Sequence, residues 1–140
     1  MGFLTNAPAP EQAPRLADWK DSAHYTINER ARAYLEMNCG HCHNPNGPAY
    51  TSGLFLNVGN QVPDNLGICK VPVAAGKATG GLNFDIMPAY PDSSILIHRV
   101  ASTDPAVKMP ELGRVMVHTE GLALLTQWIA EMPANHCNAK

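Results

Sequence analysis

The sequence predicts an all-α domain whose helices are separated by long irregular loops. Three observations predict it. Three segments repeat apolar residues every three or four positions and carry recognisable start signals. About fifty residues rich in Gly, Pro and Asn separate the first segment from the second. The chain has 140 residues, 45% of them apolar, enough for one domain with a real core.

The first helix is expected to start at Thr26, because Thr26 and Glu29 have the spacing of a capping box. Arg30 to Asn38 contains good helix formers and no proline, and Ile27, Ala31, Tyr34, Leu35 and Asn38 share one face. That helix runs straight into Cys39. The second is expected to begin at Asp92 or Ser93, either of which can accept a bond from a free first-turn N–H. It continues through Ile95, Leu96, His98, Arg99 and Val100 and stops before Pro105. The third is expected to be capped by Thr119, with Glu120 at its positive end. Leu122, Leu125 and Ile129 form its stripe, Leu124 and Trp128 lie beside it, and Pro133 marks its stop. The intervening stretch is too long for a structureless loop and is expected to wrap around something. Leu54 to Val58 could form a short strand within it.

The net charge is −2, from 10 basic and 12 acidic residues, and no basic run occurs. A nucleic-acid partner therefore lacks its electrostatic footprint. No stretch approaches the roughly 20 apolar residues of a membrane span, and no signal peptide is visible at the N-terminus. Met1-Gly2 reads as an added start. Residues 1–24 read as a linker-like extension with Pro8, Pro10 and Pro14, and residues 25–140 as the folded domain. The expectation is a domain of a longer chain or of a processed precursor.

Cys39-Gly40-His41-Cys42-His43 is a C-x-x-C-H motif, the pattern of covalent haem attachment. In that chemistry each thiol adds to one porphyrin vinyl group, and the adjacent histidine falls under the iron as a ligand. The expected cofactor is one covalent haem c, held by thioethers from Cys39 and Cys42, with His43 as an axial iron ligand. Three rival readings share these residues. Cys-Gly-His-Cys also occurs in disulfide isomerases, but that fold needs an apolar strand before the motif. A zinc site could use Cys39, Cys42, Cys69 and a histidine, although no second close ligand pair exists. A plain Cys39–Cys42 disulfide is the third.

The second axial position decides between electron transfer and ligand chemistry. Met37 is too close to Cys39 to reach the opposite face. Met116 and Met132 stand in or beside apolar-patterned stretches, where methionine is usually core filler. Met87-Pro88 and Met109-Pro110 stand in proline-bounded loops that could present a thioether. Met109 precedes the C-terminal helix, which favours it; Met87, His98 and His118 stay as alternatives, as does an open sixth site.

Taken together, first helix, C-x-x-C-H, irregular wrap, Met-Pro loop and C-terminal helix resemble a class I c-type cytochrome. Pro91 to Leu96, Met109 to Gly113 and Leu125 to Ile129 resemble cytochrome modules of larger secreted bacterial proteins. The resemblance covers about residues 26 to 132, while Tyr50 to Ala89 is longer than in minimal members. It implies cytochrome c-like helices packed around a covalent haem, His43/Met109 ligation and one-electron transfer, without enzymatic activity of its own. A haem enzyme or ligand sensor with an open sixth site is the alternative. In such proteins a proline carbonyl often accepts from the ligating histidine, which points to Pro48, with Pro45 second. Haem attachment of this kind occurs outside the cytosol, so Cys69 and Cys137 are expected to form a disulfide in a periplasmic or secreted protein. Tyr34, Tyr90 and Trp128 could pack on the porphyrin, and Arg99 or Lys77 could neutralise a propionate. The plain alternatives are helix–helix core and solvated surface charge. His24, His41 and His136 carry no partner pattern. The expected partner is a redox protein donor or acceptor, such as an oxidoreductase or a polysaccharide-oxidising enzyme, and the chain is expected to be a monomer.

Overall fold

A computed structural model describes residues 5–134 and 137; Met1, Gly2 and His136 lie outside the described residues. The fold is mostly helical, and no strand occurs among the described residues. Helix α1 spans Ile27–Leu35, α2 Pro63–Leu66, α3 Ile95–Ala101 and α4 Thr119–Ala130. Thr26 and Glu29 form the full reciprocal capping box that starts α1. From Glu36 to Gly40 the helix widens into a single π turn, which carries the chain into the cysteine motif.

The core lies where α1 packs against α4. Ala31, Tyr34 and Leu35 meet Leu124, Leu125, Trp128 and Ile129, and the Trp128 indole N–H donates to Asn28 Oδ1 at 3.0 Å. Burying each large aliphatic side chain here contributes about 1.5–3 kcal/mol. Gly121 makes the close crossing possible: a Cβ there would stand 2.1 Å from the Tyr34 oxygen. The Tyr34 hydroxyl pairs with His118 Nδ1 at 2.9 Å, and Trp19 packs edge-on against both rings. Arg30 Nε also donates to the Trp19 carbonyl. The folded unit thus reaches back to Trp19, inside the segment read as an extension.

Two helix starts differ from the sequence reading. Helix α3 begins at Ile95, after a 3-10 turn at Pro91–Ser93. Its flanking serine, Ser94, is fully buried and does not cap it. Its hydroxyl instead accepts from the Met87 N–H and donates to the Tyr90 carbonyl, tying two loops together. Helix α4 has His118 at its N-cap, and Thr119 is its first helical residue, with its hydroxyl turned to Glu120. Leu122 is only partly buried, and Gly121 and Leu124 take the inner face with Leu125, Trp128 and Ile129.

The expected strand at Leu54 to Val58 is irregular chain. Its backbone groups are taken by other partners: the Leu56 N–H donates to the His43 carbonyl, and the Phe55 N–H to Asn65. The buried Arg32 guanidinium donates to the carbonyls of Asn57, Val58 and Asn60. Two isolated parallel bridges, Ile68 with Ile86 and Phe84 with Ser94, organise the rest of the wrap. A disulfide joins Cys69 to Cys137 across 68 positions of sequence. No helix among the described residues is long and apolar enough to cross a membrane.

Candidate functional site

Helical geometry continues through the cysteine motif. The Cys39 carbonyl accepts from the N–H groups of Cys42 and His43, at 3.1 and 2.9 Å, so five residues close one turn. Asn44 locks it by donating from its amide to the Gly40 carbonyl at 2.7 Å. Gly47 then folds back so closely that a Cβ would stand 2.3 Å from the Cys42 carbonyl oxygen, and Ala49 donates to that same carbonyl. The bond from Leu56 to the His43 carbonyl lays the wrap along the other side of the turn.

These elements surround a cavity of about 440 Å³, within the range of small-molecule and cofactor sites. Cys39, Cys42 and His43 line one part of it, and Met109 arrives from a segment more than sixty residues downstream. The remaining wall is mainly aliphatic, with Leu56, Leu66, Ile86, Ile95 and Val100 prominent. A second cavity of about 470 Å³ shares Asn38, Cys39, His41, Val100, Pro110 and Leu112 with the first. Together they offer a largely apolar space bordered by the Cys39 and Cys42 thiols.

The other proposed ligands lie elsewhere. Met87 and His98 line neither cavity, and His118 borders the second but not the first. Met87 is held by the Ser94 bond, the His98 ring packs over Gly80, and His118 stacks on Tyr34. Met116 is 71% exposed and not core filler, like Leu112 and Val115 near it; Met37 is also exposed, and Met132 packs against the core. Of the aromatic candidates, Trp128 and Tyr34 belong to the helix–helix core and Tyr90 is exposed. Arg99 lines the cavity whereas Lys77 does not.

The electrostatics separate the rival readings. Burial pushes the Cys39 thiol up to about 12, with the Cys42 charge adding to the rise. Disulfide exchange uses a cysteine whose value is lowered, the reverse of the direction at Cys39. Cys39 and Cys42 are both free thiols in this structure. Cys69 is bonded to Cys137 and unavailable to a zinc site. Burial also lowers the His43 value, opposed by the Leu54 backbone and helped by the charges of Arg99 and His41. The ring is therefore neutral at pH 7 and keeps a lone pair for a metal.

One expected contact is not made in this structure. Pro48 lines the cavity but is exposed, and its carbonyl does not accept from His43. The fold-back at Gly47 carries Pro48 to the rim, while the bond to Leu56 brings Leu54 toward the ring instead. His43 Nδ1 is buried without a hydrogen-bond partner, the contact with Leu54 falling short of bonding geometry. Pro45 is exposed as well.

Sequence reasoning missed Asp85. It lines the cavity 3.6 Å from Lys70 Nζ, and both side chains are about nine-tenths buried. Only the fold brings them together, through the bond from the Asp85 N–H to the Lys70 carbonyl. Burial raises the Asp85 carboxyl above its ordinary value of 3.8 against the pull of Lys70 and Arg99, and Asp64 adds to the rise. A carboxyl raised on folding contributes stability below its unfolded value and loses it as pH climbs through the folded one. Wild type should therefore lose ground to Asp85→Asn, by urea unfolding, as pH rises above about 4. A wild type that gains ground over that range would contradict the assignment.

No family model matches the chain, and no match to a curated protein or to a solved structure was found.

Proposed function

We propose that this chain is a single-haem electron-transfer protein of the class I c-type cytochrome kind, with Cys39 and Cys42 as thioethers and His43 and Met109 as axial ligands. One observation carries the reading: His43 and Met109, from distant segments, border the same largely apolar cavity as both free cysteines. The residues present suit the group. Two unpaired thiols stand one helical turn apart along the chain, a neutral imidazole adjoins them, and Arg99 supplies positive charge to a mostly aliphatic wall. Bound haem iron supplies a one-electron couple, and methionine ligation raises its potential relative to bis-histidine ligation.

The protein's own part is positioning and exclusion. The turn from Cys39 to His43 fixes one face through its backbone bonds. The segment from Met109 to Leu112 supplies a further part of the wall, from which Met109 would ligate the iron. Leu56, Leu66, Ile86 and Ile95 keep water from the interior, which limits the reorganisation that accompanies a change of charge. The partner in this reading is a redox protein, either an oxidoreductase or a polysaccharide-oxidising enzyme, and the setting is periplasmic or secreted. The Cys69–Cys137 disulfide supports an oxidising compartment.

The test is maturation in a bacterial host that attaches haem during export, followed by intact mass and absorption spectroscopy. A gain of one haem, retained in acid and denaturant and abolished when Cys39 and Cys42 are both changed to Ala, is the expected result. Protein that leaves this host with both thiols alkylatable and no covalent haem would sink the proposal.

A further inference from the structure

The segment bearing Met109 has little apolar anchorage. Leu112 is 87% exposed and Val115 94%, so hydrophobic burial does not hold the stretch between α3 and α4 in place. Hydrogen bonds to the end of α3 do. A helix leaves its last carbonyls without intrahelical partners, and in α3 these groups are met by the downstream segment. The Met109 N–H donates to the Arg99 carbonyl at 3.0 Å. Arg114 Nη1 donates to the Val100 carbonyl at 2.5 Å, and Nη2 donates to the Ser102 carbonyl, with the Arg99 carbonyl at 3.5 Å. In return Arg99 Nε donates to the Val107 carbonyl at 2.8 Å. Lys108 Nζ closes the ring by donating to the Arg114 carbonyl at 2.6 Å.

The two arginines thus cross. Arg99 leaves the helix to hold the loop just before Met109, and Arg114 leaves the loop just after it to hold the helix. Met109 is pinned at its own N–H between them. The guanidinium fork suits this task because its fixed donors can meet several carbonyls at once, which a lysine ammonium on a flexible stem does less well.

We propose that Arg114 is the positioning residue that keeps Met109 over the cavity, and so sets how often the sixth coordination position opens. This rests on the His43/Met109 reading above. Arg114 does not touch the reacting atoms; it acts through the end of α3. A hydrogen bond to a charged group corresponds to about tenfold or more in an equilibrium. Losing the fork should lower the closed-to-open ratio of the Met109 segment by at least about that factor. The α1–α4 core, which Arg114 does not enter, stays intact.

The experiment compares the haem-loaded protein with its Arg114→Ala, Arg114→Lys and Met109→Ala variants. The readouts are the red-region methionine–ferric band during an alkaline titration, the rate of carbon monoxide association with the ferrous form, and hydrogen exchange at the Met109 amide. Arg114→Ala is expected to keep its haem and helical circular dichroism. It should lose the band at a pH about one unit lower for each tenfold of opening, bind carbon monoxide about tenfold faster or more, and exchange the Met109 amide faster. Arg114→Lys should fall between it and wild type. Wild-type values for all three readouts in Arg114→Ala would overturn the proposal while leaving the ligand reading intact. A wild-type band that survives in Met109→Ala would overturn the ligand reading, and the proposal with it. If Arg114→Ala does not accumulate as folded protein, Arg114→Lys carries the test alone. Carbon monoxide association a few-fold faster than wild type supports the latch, and an unchanged rate overturns it.

Discussion

In the haem-loaded protein, Met109→Ala is expected to abolish the red-region methionine–ferric band and to open the iron to carbon monoxide. The reduction potential should fall on the order of 100 mV, a modest part of the span that axial ligands cover. The reasoning is positional. Six methionines occur in the sequence, and among the described residues Met109 is the methionine bordering the cavity that His43 also borders. Met87→Ala is the matched control, because that residue lies off the cavity wall and its backbone N–H bond to Ser94 survives the substitution. It should leave the band and the potential unchanged. The reverse pattern, with loss in Met87→Ala and retention in Met109→Ala, would move the sixth ligand to the other Met-Pro loop. An unchanged spectrum in both variants would return the sixth site to the open or histidine-ligated alternatives.

Local signals were readable from sequence, and signals that depend on distant chain were not. The capping box at Thr26 and Glu29 is a contact across three positions, so the start of α1 could be read directly. The stripe of Leu125, Trp128 and Ile129 follows helical periodicity and does face the core. The start of α3 lies beyond the expected caps because Asp92 and Ser93 are taken into a 3-10 turn, and Ser94 after them spends its hydroxyl on Met87 and Tyr90, a choice that only the folded loops present. Leu54 to Val58 has a strand-like composition, yet its bonding partners sit on α1, the cysteine turn and Asn65. In the candidate site, the C-x-x-C-H spacing was legible in sequence, and the fold sets Cys39, Cys42 and His43 along one cavity wall. Met109 followed from the order of elements along the chain. Asp85 and Lys70 carried no signal, since a buried ion pair fifteen positions apart has no periodic or motif signature. Arg114 read as an ordinary charged loop residue for the same reason. Its partners are carbonyls, which every residue has and no sequence pattern distinguishes.

Removing the disulfide should produce the largest loss of stability among single covalent changes outside the haem motif. The Cys69–Cys137 link closes 68 positions of chain. In the chain-entropy model a loop of that length stabilises the fold by about 4 kcal/mol, chiefly by restricting the unfolded chain. At roughly 2–4 °C per kcal/mol for a chain of this size, Cys137→Ser should melt about 8–16 °C lower. The consequence for the site is more specific than the loss of stability. Cys69 donates its N–H to the Ile86 carbonyl, and Ile86 is a fully buried part of the cavity wall. Lys70, the next residue, carries the partner of Asp85. Cys137, beyond α4, is thereby tied to the part of the wrap that lines the cavity. Cys137→Ser should therefore expose the amides near Cys69 and Ile86 to hydrogen exchange before those of α1 and α4. A melting point within about 2 °C of wild type would show that the unfolded chain is already restricted there. Uniform exchange across both regions would show that the wrap and the helical core unfold as one unit, and that the bridge stabilises the whole without guarding the cavity in particular.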